Sequence, residues 1–502
     1  MNVEAARRTF ASASQATEHF DVLIVGAGIS GIGSAWHLQT KMSGTSFVVL
    51  EMQETFGGTW WTHKYPGIRS DSDLHTFGYS FKPWVGPPIA SAGEIRAYMG
   101  EVIADNDLAR HIRYKHRILR ASWSSEENLW TIEAEQTDSG EKVVISANFL
   151  WMCQGYYRHS EGFTPEWDGI SDFKGRIVHP QTWPDDLVLD GKQVLVIGSG
   201  ATAATLIPNI ADQCAHVTML QRSPTFFRLG RNAIDIVEEL RRLQVKDEWI
   251  HEIVRRKIVY EQDAFTKRCI AEPEQVKKEL IGQISAVLGP DYDVATHFTP
   301  RYRPWRQRIA FVPDADFFHS VKEGKASVVT DEIERFVENG ILLKSGKTLP
   351  ADVVITATGF NLCVLGDIDF AVDGRPLDFA ETVTYRGMMF TGIPNMAWVF
   401  GYFRASWTLR TDLVAEFVCR LLTHMKEKGV RKVVPALRPE DHNMPLLSWI
   451  DPENFNPNYL MRDMHRLPRR GDKPEWQHSQ EYWAEQREFP GIDLDDKAFV
   501  YS

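Results

Sequence analysis

The sequence predicts an α/β fold made of two parallel-sheet halves, because one pattern occurs in it twice. An apolar run rich in β-branched residues, Phe20-Asp-Val-Leu-Ile-Val25, leads directly into Gly26-Ala-Gly28-Ile-Ser30-Gly31 and then a helix-like segment. Lys192-Gln-Val-Leu-Val-Ile197 leads in the same way into Gly198-Ser199-Gly200-Ala201-Thr202-Ala203. Short apolar runs of this kind suit central parallel strands buried on both faces. A third observation closes each half. Phe149-Leu-Trp-Met-Cys-Gln-Gly155 and Ala351-Asp-Val-Val-Ile-Thr-Ala-Thr-Gly359 both read as buried return strands ending in glycine. The expected division is a flexible tail at 1–19, a discontinuous first domain at 20–160 and 360–502, and a second domain at 161–359.

Each loop has the spacing of a dinucleotide site, so the halves are expected to be Rossmann-like. In the first, Gly26 permits the tight turn, Gly28 lets backbone approach a pyrophosphate, and Gly31 lets helix and strand pack closely. The helix N-terminus then directs amides at the phosphates. A second strand, Phe47-Val-Val-Leu50, ends in Glu51, 20 residues beyond Gly31, the spacing of a ribose-binding acid. Gly57-Gly58-Thr59-Trp60 follows directly, and by itself it reads equally as an ordinary turn or as a backbone cradle. In the second loop Ala203 replaces the third glycine, an accepted variant. The strand Val217-Thr-Met-Leu220 ends in Gln221-Arg222 where the first site has an acid. A carboxylate repels a ribose 2′-phosphate and a guanidinium pairs with it, so the second nucleotide is read as NADPH rather than NADH.

Between and beyond the loops the pattern is plainer. Ala121 to Ile145 alternates as an inserted antiparallel meander, and about 230–297 has the near-helical spacing of an inserted helical subdomain. Tyr65-Pro-Gly-Ile-Arg69-Ser70-Asp71-Ser-Asp73 is dense in turn formers and opposed charges. By itself it reads as a solvated loop with a local Arg–Asp ion pair. Phe298-Thr-Pro-Arg301-Tyr-Arg303-Pro-Trp-Arg306-Gln-Arg308 places four arginines in eight residues among prolines and aromatics. A strand at Met396–Phe400 and a helix from about Thr408 to Leu422 are expected to close the first domain, followed by an irregular cap beyond Arg438.

Composition narrows the classes. The 502 residues suit two or three domains, and 43% hydrophobic with 25% charged content is that of a water-soluble protein. A net charge of −11 argues against nucleic acid or anionic membrane as the main partner. Five scattered cysteines lack metal or dithiol spacing and read as reduced thiols of a cytoplasmic protein. No membrane span, targeting signal or metal site is expected, and a monomer or weak homo-oligomer is.

The stretch Phe173-Lys-Gly-Arg-Ile-Val-His179-Pro-Gln-Thr-Trp-Pro184, read as a linker between the halves, has the spacing Phe-x-Gly-x-x-x-His-x-x-x-Trp-Pro. With the two loops, it makes the chain resemble type I Baeyer–Villiger monooxygenases over nearly its whole length. Tyr65 to Asp73, Phe81-Lys-Pro-Trp84, His179 to Trp183 and Arg404-Ala-Ser-Trp407 resemble the ethionamide-activating subgroup. The resemblance implies FAD and NADPH as cofactors and a ketone, sulfide or thioamide with O2 as substrates, through a C4a-peroxyflavin. It assigns FAD to Ser30, Glu51, Gly58, Thr59, Trp60, Asp71 and the backbone at Ile118. It assigns NADPH to Arg69, Ser70 and Asp71, to Gly198 through Ala203, and to Arg222 and Ser223. Arg308 falls at the family's catalytic arginine, with Asp71 as its electrostatic partner. Many relatives have Lys before that arginine, and this chain has Gln307, so more of the NADPH preference rests on Arg222. A sulfur or nitrogen monooxygenase without ketone activity, or a non-catalytic NADPH-sensing flavoprotein, also fits the loops. A disulfide reductase would need a cysteine pair beside the flavin, and none follows Gly57.

Overall fold

The computed structural model describes residues 18–502. The expected tail at 1–19 therefore lies outside the described residues except for its last two members, and these correct it. Glu18 and His19 already belong to the first strand, Glu18–Val25, paired in parallel with Ile145 and Ser146. His19 Nδ1 lies 2.9 Å from the Ser146 hydroxyl, and Glu18 pairs with Arg113.

Successive residues of that strand serve opposite faces of a nine-stranded sheet. Val22 and Ile24 join one apolar core, Leu23 and Val25 the other, as the two-sided apolar run requires. The strand lies between Phe47–Leu50 and Lys142–Met152, both parallel to it. On one face the helix Ile29–Lys41 packs against the closing helix, which runs over Trp407–Lys428. The expected inserted meander is not separate from this sheet. Lys142–Met152 is one strand whose first half pairs antiparallel with Leu129–Gln136 and whose last residues pair in parallel with Met396–Trp398. Eleven residues are long enough to serve both partners, so meander and return strand share one element.

The second sheet is parallel throughout, in the order Ala326–Thr330, His216–Gln221, Gln193–Ile197, Val353–Thr356, Arg176–Val178. Its edge strand comes from the stretch read as a linker, so that stretch is partly built into the second sheet. Next to it the chain crosses between the sheets twice. The outgoing strand Tyr157–Gly162 and the returning strand Phe360–Leu362 pair antiparallel. His179 fastens the crossing: its Nδ1 accepts the Gln181 amide at 3.1 Å, leaving Nε2–H to donate to the Gly359 carbonyl at 3.0 Å. The ring lies where a Cβ on Gly162 would be, 1.9 Å from the nearest ring atom.

Helices Asp235–Arg242, Asp247–Ala271, Pro273–Leu288 and Val294–Phe298 leave the second sheet. In the third, Val276, Leu280, Ile284 and Leu288 recur every four residues and are buried, one apolar stripe on one face. The long second helix is anchored on the first domain by Arg255. Its Nη1 donates to the carbonyls of His75 and Gly78 at 2.9 Å and of Thr76 at 3.1 Å. Among the described residues no helix is long and apolar enough to cross a membrane.

Candidate active site

The two glycine loops are close copies in backbone. Gly26 and Gly198 both have positive φ, +97° and +124°. Each donates its amide at 2.8 Å to the last leucine of the neighbouring strand, Leu50 and Leu220. Gly28 and Gly200 cap the following helices with nearly the same angles, −76°/−175° and −79°/−174°. A Cβ on Gly200 would meet nothing within 4 Å, and one on Gly28 would meet only the Gly58 Cα at 3.8 Å. Both loops therefore present bare backbone beside a helix N-terminus, which fits a pyrophosphate.

Around the first loop the supports are buried. Glu51 accepts the Ala27 amide at 2.7 Å and the Gln53 amide at 2.8 Å, and burial raises its carboxyl above the ordinary value. Gly57 donates to the Ala27 carbonyl at 3.0 Å, which seats Gly57, Gly58, Thr59 and Trp60 against the loop. The Ser30 hydroxyl accepts the Trp407 indole N–H at 2.7 Å and lies 3.4 Å from Thr411, tying loop to closing helix. Ile118 stands at a register shift in the strand His116–Ser124, buried in the second core. These fixed residues fit a flavin dinucleotide.

Around the second loop the supports are more open. Arg222 and Ser223 are exposed at the strand end. Gln221, in the place of the acid, is buried and turned inward, donating to the His297 carbonyl at 2.7 Å and the Thr330 hydroxyl at 2.9 Å. The Ser199 hydroxyl lies 2.8 Å from that of Thr225, and Thr202 bonds to the buried Tyr65 phenol.

Arg308 and Asp71, 237 residues apart in sequence, meet in a two-pronged ion pair. Arg308 Nε donates to Asp71 Oδ2 at 2.7 Å and Nη2 to Oδ1 at 2.6 Å. The Asp71 loop is pinned by the Ser70 amide on the Ala90 carbonyl and by Asp73, which caps the helix Leu74–Phe77. The Arg308 loop is pinned by the Ala310 amide on Phe226 and the Asn456 amide on Arg306. Burial opposes the Arg308 charge, but the Asp71 carboxylate outweighs it and holds the guanidinium above its ordinary pKa. The fork leaves Nη1 as the nitrogen it does not engage.

Not every expected residue joins this group. Arg69 pairs instead with Asp316 at 2.6 Å, across a cleft of about 500 Å3. The Ser70 hydroxyl serves its own turn, donating to the Ser72 carbonyl at 2.6 Å. Three residues enter that sequence reasoning missed: Tyr156, Tyr157 and Tyr459, all within electrostatic reach of Arg308. Tyr156 donates to Tyr157 at 2.8 Å and stacks on Trp407 with ring centres 5.1 Å apart. Burial raises all three phenols, so they stand as neutral hydroxyls beside the cation. The only signal in sequence was a tyrosine pair directly after Gly155.

The model of the flavin-binding monooxygenase-like family matches residues 80–235, and that of the NAD(P)-binding Rossmann-like domain residues 24–85. The chain is 44% identical to the FAD-containing monooxygenase EthA of Mycobacterium tuberculosis, over 97% of this chain and 98% of that protein. It is 41% identical to a probable FAD-binding monooxygenase, AlmA, of an Acinetobacter species, over 95% of each. An oxidized steroid monooxygenase bound to NADP has the same fold, with a TM-score of 0.75 at 22% identity over 96% of this chain and 99% of that one. Identity at this level over nearly the full length places the chain in the family of EthA-type FAD-containing monooxygenases.

Proposed function

We propose that the chain is an NADPH-dependent Baeyer–Villiger monooxygenase, which inserts one oxygen atom of O2 beside a ketone carbonyl to give an ester, and which also oxidises sulfides or thioamides. The forked Arg308–Asp71 pair carries this reading. A guanidinium keeps its charge at any working pH, and here a carboxylate fixes its orientation while Nη1 remains available. Such a group stabilises an oxyanion developing on a substrate carbonyl, provided it is positioned in advance. A sensing flavoprotein would have no use for it.

The bound flavin supplies hydride acceptance and O2 activation; the chain supplies position and charge. Ser30, Glu51, Gly58, Thr59, Trp60 and the Ile118 backbone hold FAD, with Gly26, Gly28, Gly31 and Gly57 clearing the backbone for it. Gly198 to Ala203, Arg222 and Ser223 hold NADPH, and Arg69 and Ser70 contribute through the loop that orients Asp71. Tyr156, Tyr157 and Tyr459 exclude water from one side of Arg308 without adding charge. The enzyme works in the cytoplasm as a monomer or weak homo-oligomer.

Incubating the protein with NADPH, O2, a methyl ketone and a thioether tests the reading. Ester plus sulfoxide is expected; sulfoxide alone removes the ketone half, and neither removes both. Arg308→Ala should retain flavin and its reduction by NADPH, while ester formation falls by about two to three orders of magnitude. Ester at the unaltered rate would take the role away from Arg308.

A further inference from the structure

Three arginines near the site have no part in that reaction. Arg303 and Arg404 come from distant segments and donate through Nη2 to the same residue. Arg303 reaches the Asn454 carbonyl at 2.8 Å and its Oδ1 at 3.0 Å; Arg404 reaches them at 2.8 and 2.9 Å. Arg404 also donates to the Trp305 carbonyl at 3.1 Å. Asn454 is neutral, so two guanidiniums converge with no carboxylate between them. Arg228 stands nearby with its guanidinium 4.6 Å from the centre of the Phe265 ring. The charges of Arg228, Arg303 and Arg404 all act on the thiol of Cys269, which is fully buried, so the three border one region.

The surrounding carboxylates do not neutralise this group. Glu453 is committed to Arg306 at 3.0 Å, while Glu261 acts on Arg228 and Glu481 on Arg404 through space. Burial, and then the neighbouring Arg303, push Arg404 down to about 10. A half-buried cation in this condition is stabilised by an anion that brings its own charge. Two donors of the group are left over: Arg404 Nε and Trp305 Nε1 are buried with no hydrogen-bond partner among the described residues. Trp305 itself is held at φ +59°, a strained angle for so bulky a residue. The remaining wall is aromatic. Arg404 lies over Phe455 at 5.5 Å, Phe455 stacks on Phe403 at 5.0 Å, and the half-buried Trp305 and Phe265 belong to the apolar cluster of the buried Phe226. Arg308 follows Trp305 by three residues.

We propose that Arg303 and Arg404, with Arg228 beside them, receive the carboxylate of an amphipathic substrate whose apolar chain lies on this aromatic wall and whose reacting group lies at Arg308. Paired guanidiniums match a carboxylate in charge and in planar geometry. The substrate class is then open-chain keto acids, or the corresponding thioether acids; the identity of the reacting group rests on the function proposed above, and the carboxylate subsite does not.

The test compares straight-chain methyl ketones ending in a carboxylate with their methyl esters, as substrates of the flavin-loaded enzyme. The acid should exceed its ester in kcat/KM by about ten- to hundredfold, the range of a charge-assisted contact. Arg404→Gln and Arg303→Gln should each lower that acid-to-ester ratio by about tenfold, with flavin content confirming that the variants fold. A ratio near one in the unaltered enzyme, or the same ratio in both variants, overturns the proposal and leaves the arginines as clamps on the segment around Asn454. If no ketone reacts, the same comparison with methylthio acids and their esters isolates the subsite from the ketone reading. Quenching of tryptophan fluorescence by the acid in preference to the ester reads binding without turnover, and equal quenching counts against the proposal.

Discussion

The two glycine loops begin alike and end differently. Their first glycines share one hydrogen bond, and their second glycines share one backbone conformation. At the third small position they part. A Cβ on Gly31 would fall 1.8 Å from the Gly26 carbonyl oxygen, so the first helix sits directly on its turn. Ala203 carries a methyl at the matching position and is still fully buried, so the second helix stands off enough to seat it. The neighbouring strand ends diverge in the same sense, with a buried, doubly bonded Glu51 in one and an exposed Arg222 in the other. A close-set, buried cradle suits a ligand that stays; an open one with an exposed charge suits a ligand that exchanges each cycle.

Substitutions can break this contrast. The largest effect is expected from Gly31→Ala, which drives a methyl into the turn: flavin should be lost, read as absent visible absorbance and a lowered melting temperature. Ala203→Gly in the other loop should keep flavin and cost about 0.5–1 kcal/mol, the usual cost of glycine inside a helix. If both variants behaved alike, the loops would not differ in the way described. Next in size, Arg222→Ala should raise the KM for NADPH about ten- to hundredfold while leaving that for NADH and the flavin content nearly unchanged.

The smallest expected effect concerns the crossing that joins the halves. Burial pushes His63 down to about 3 and His159 down to about 4, and His179 beside them is also lowered. Each is neutral in the folded state, so the unfolded chain binds protons first as acid is added. Their contribution is complete above 6.5, the ordinary histidine value, and is lost as pH falls from there, through about 4 for His159 and about 3 for His63. Melting curves across that window should show a falling stability that His159→Gln flattens. A variant with the unaltered pH slope would remove His159 from the account.

Both sheets could be read from sequence because their strands are apolar on both faces and their loops carry fixed glycine spacing. Arg308 and Asp71 could be named only through resemblance, since 237 residues separate them and nothing local joins them. Tyr156, Tyr157 and Tyr459 were not named at all, because only the fold brings them together, from the outgoing crossing and the C-terminal cap. Gln221 was legible as a residue but not as a role: its amide turns inward to hold His297 and Thr330. The meander was legible and its fusion with the return strand was not, because alternation marks a strand without saying how many partners it has, and Lys142–Met152 has three.

The crossing itself has a practical meaning. Because Tyr157–Gly162 leaves and Phe360–Leu362 returns side by side, everything between them is joined covalently to the rest through a single two-ply stem, while Arg255, Arg308 and Asp316 reach back to the first domain through side chains. A portion of chain whose ends lie so close can be cut out and exchanged as a cassette, with the remaining ends rejoined by a short linker. Coenzyme preference could thereby be transplanted between relatives whose exchanged portion keeps the partners of Asp71 and of the His75–Gly78 carbonyls.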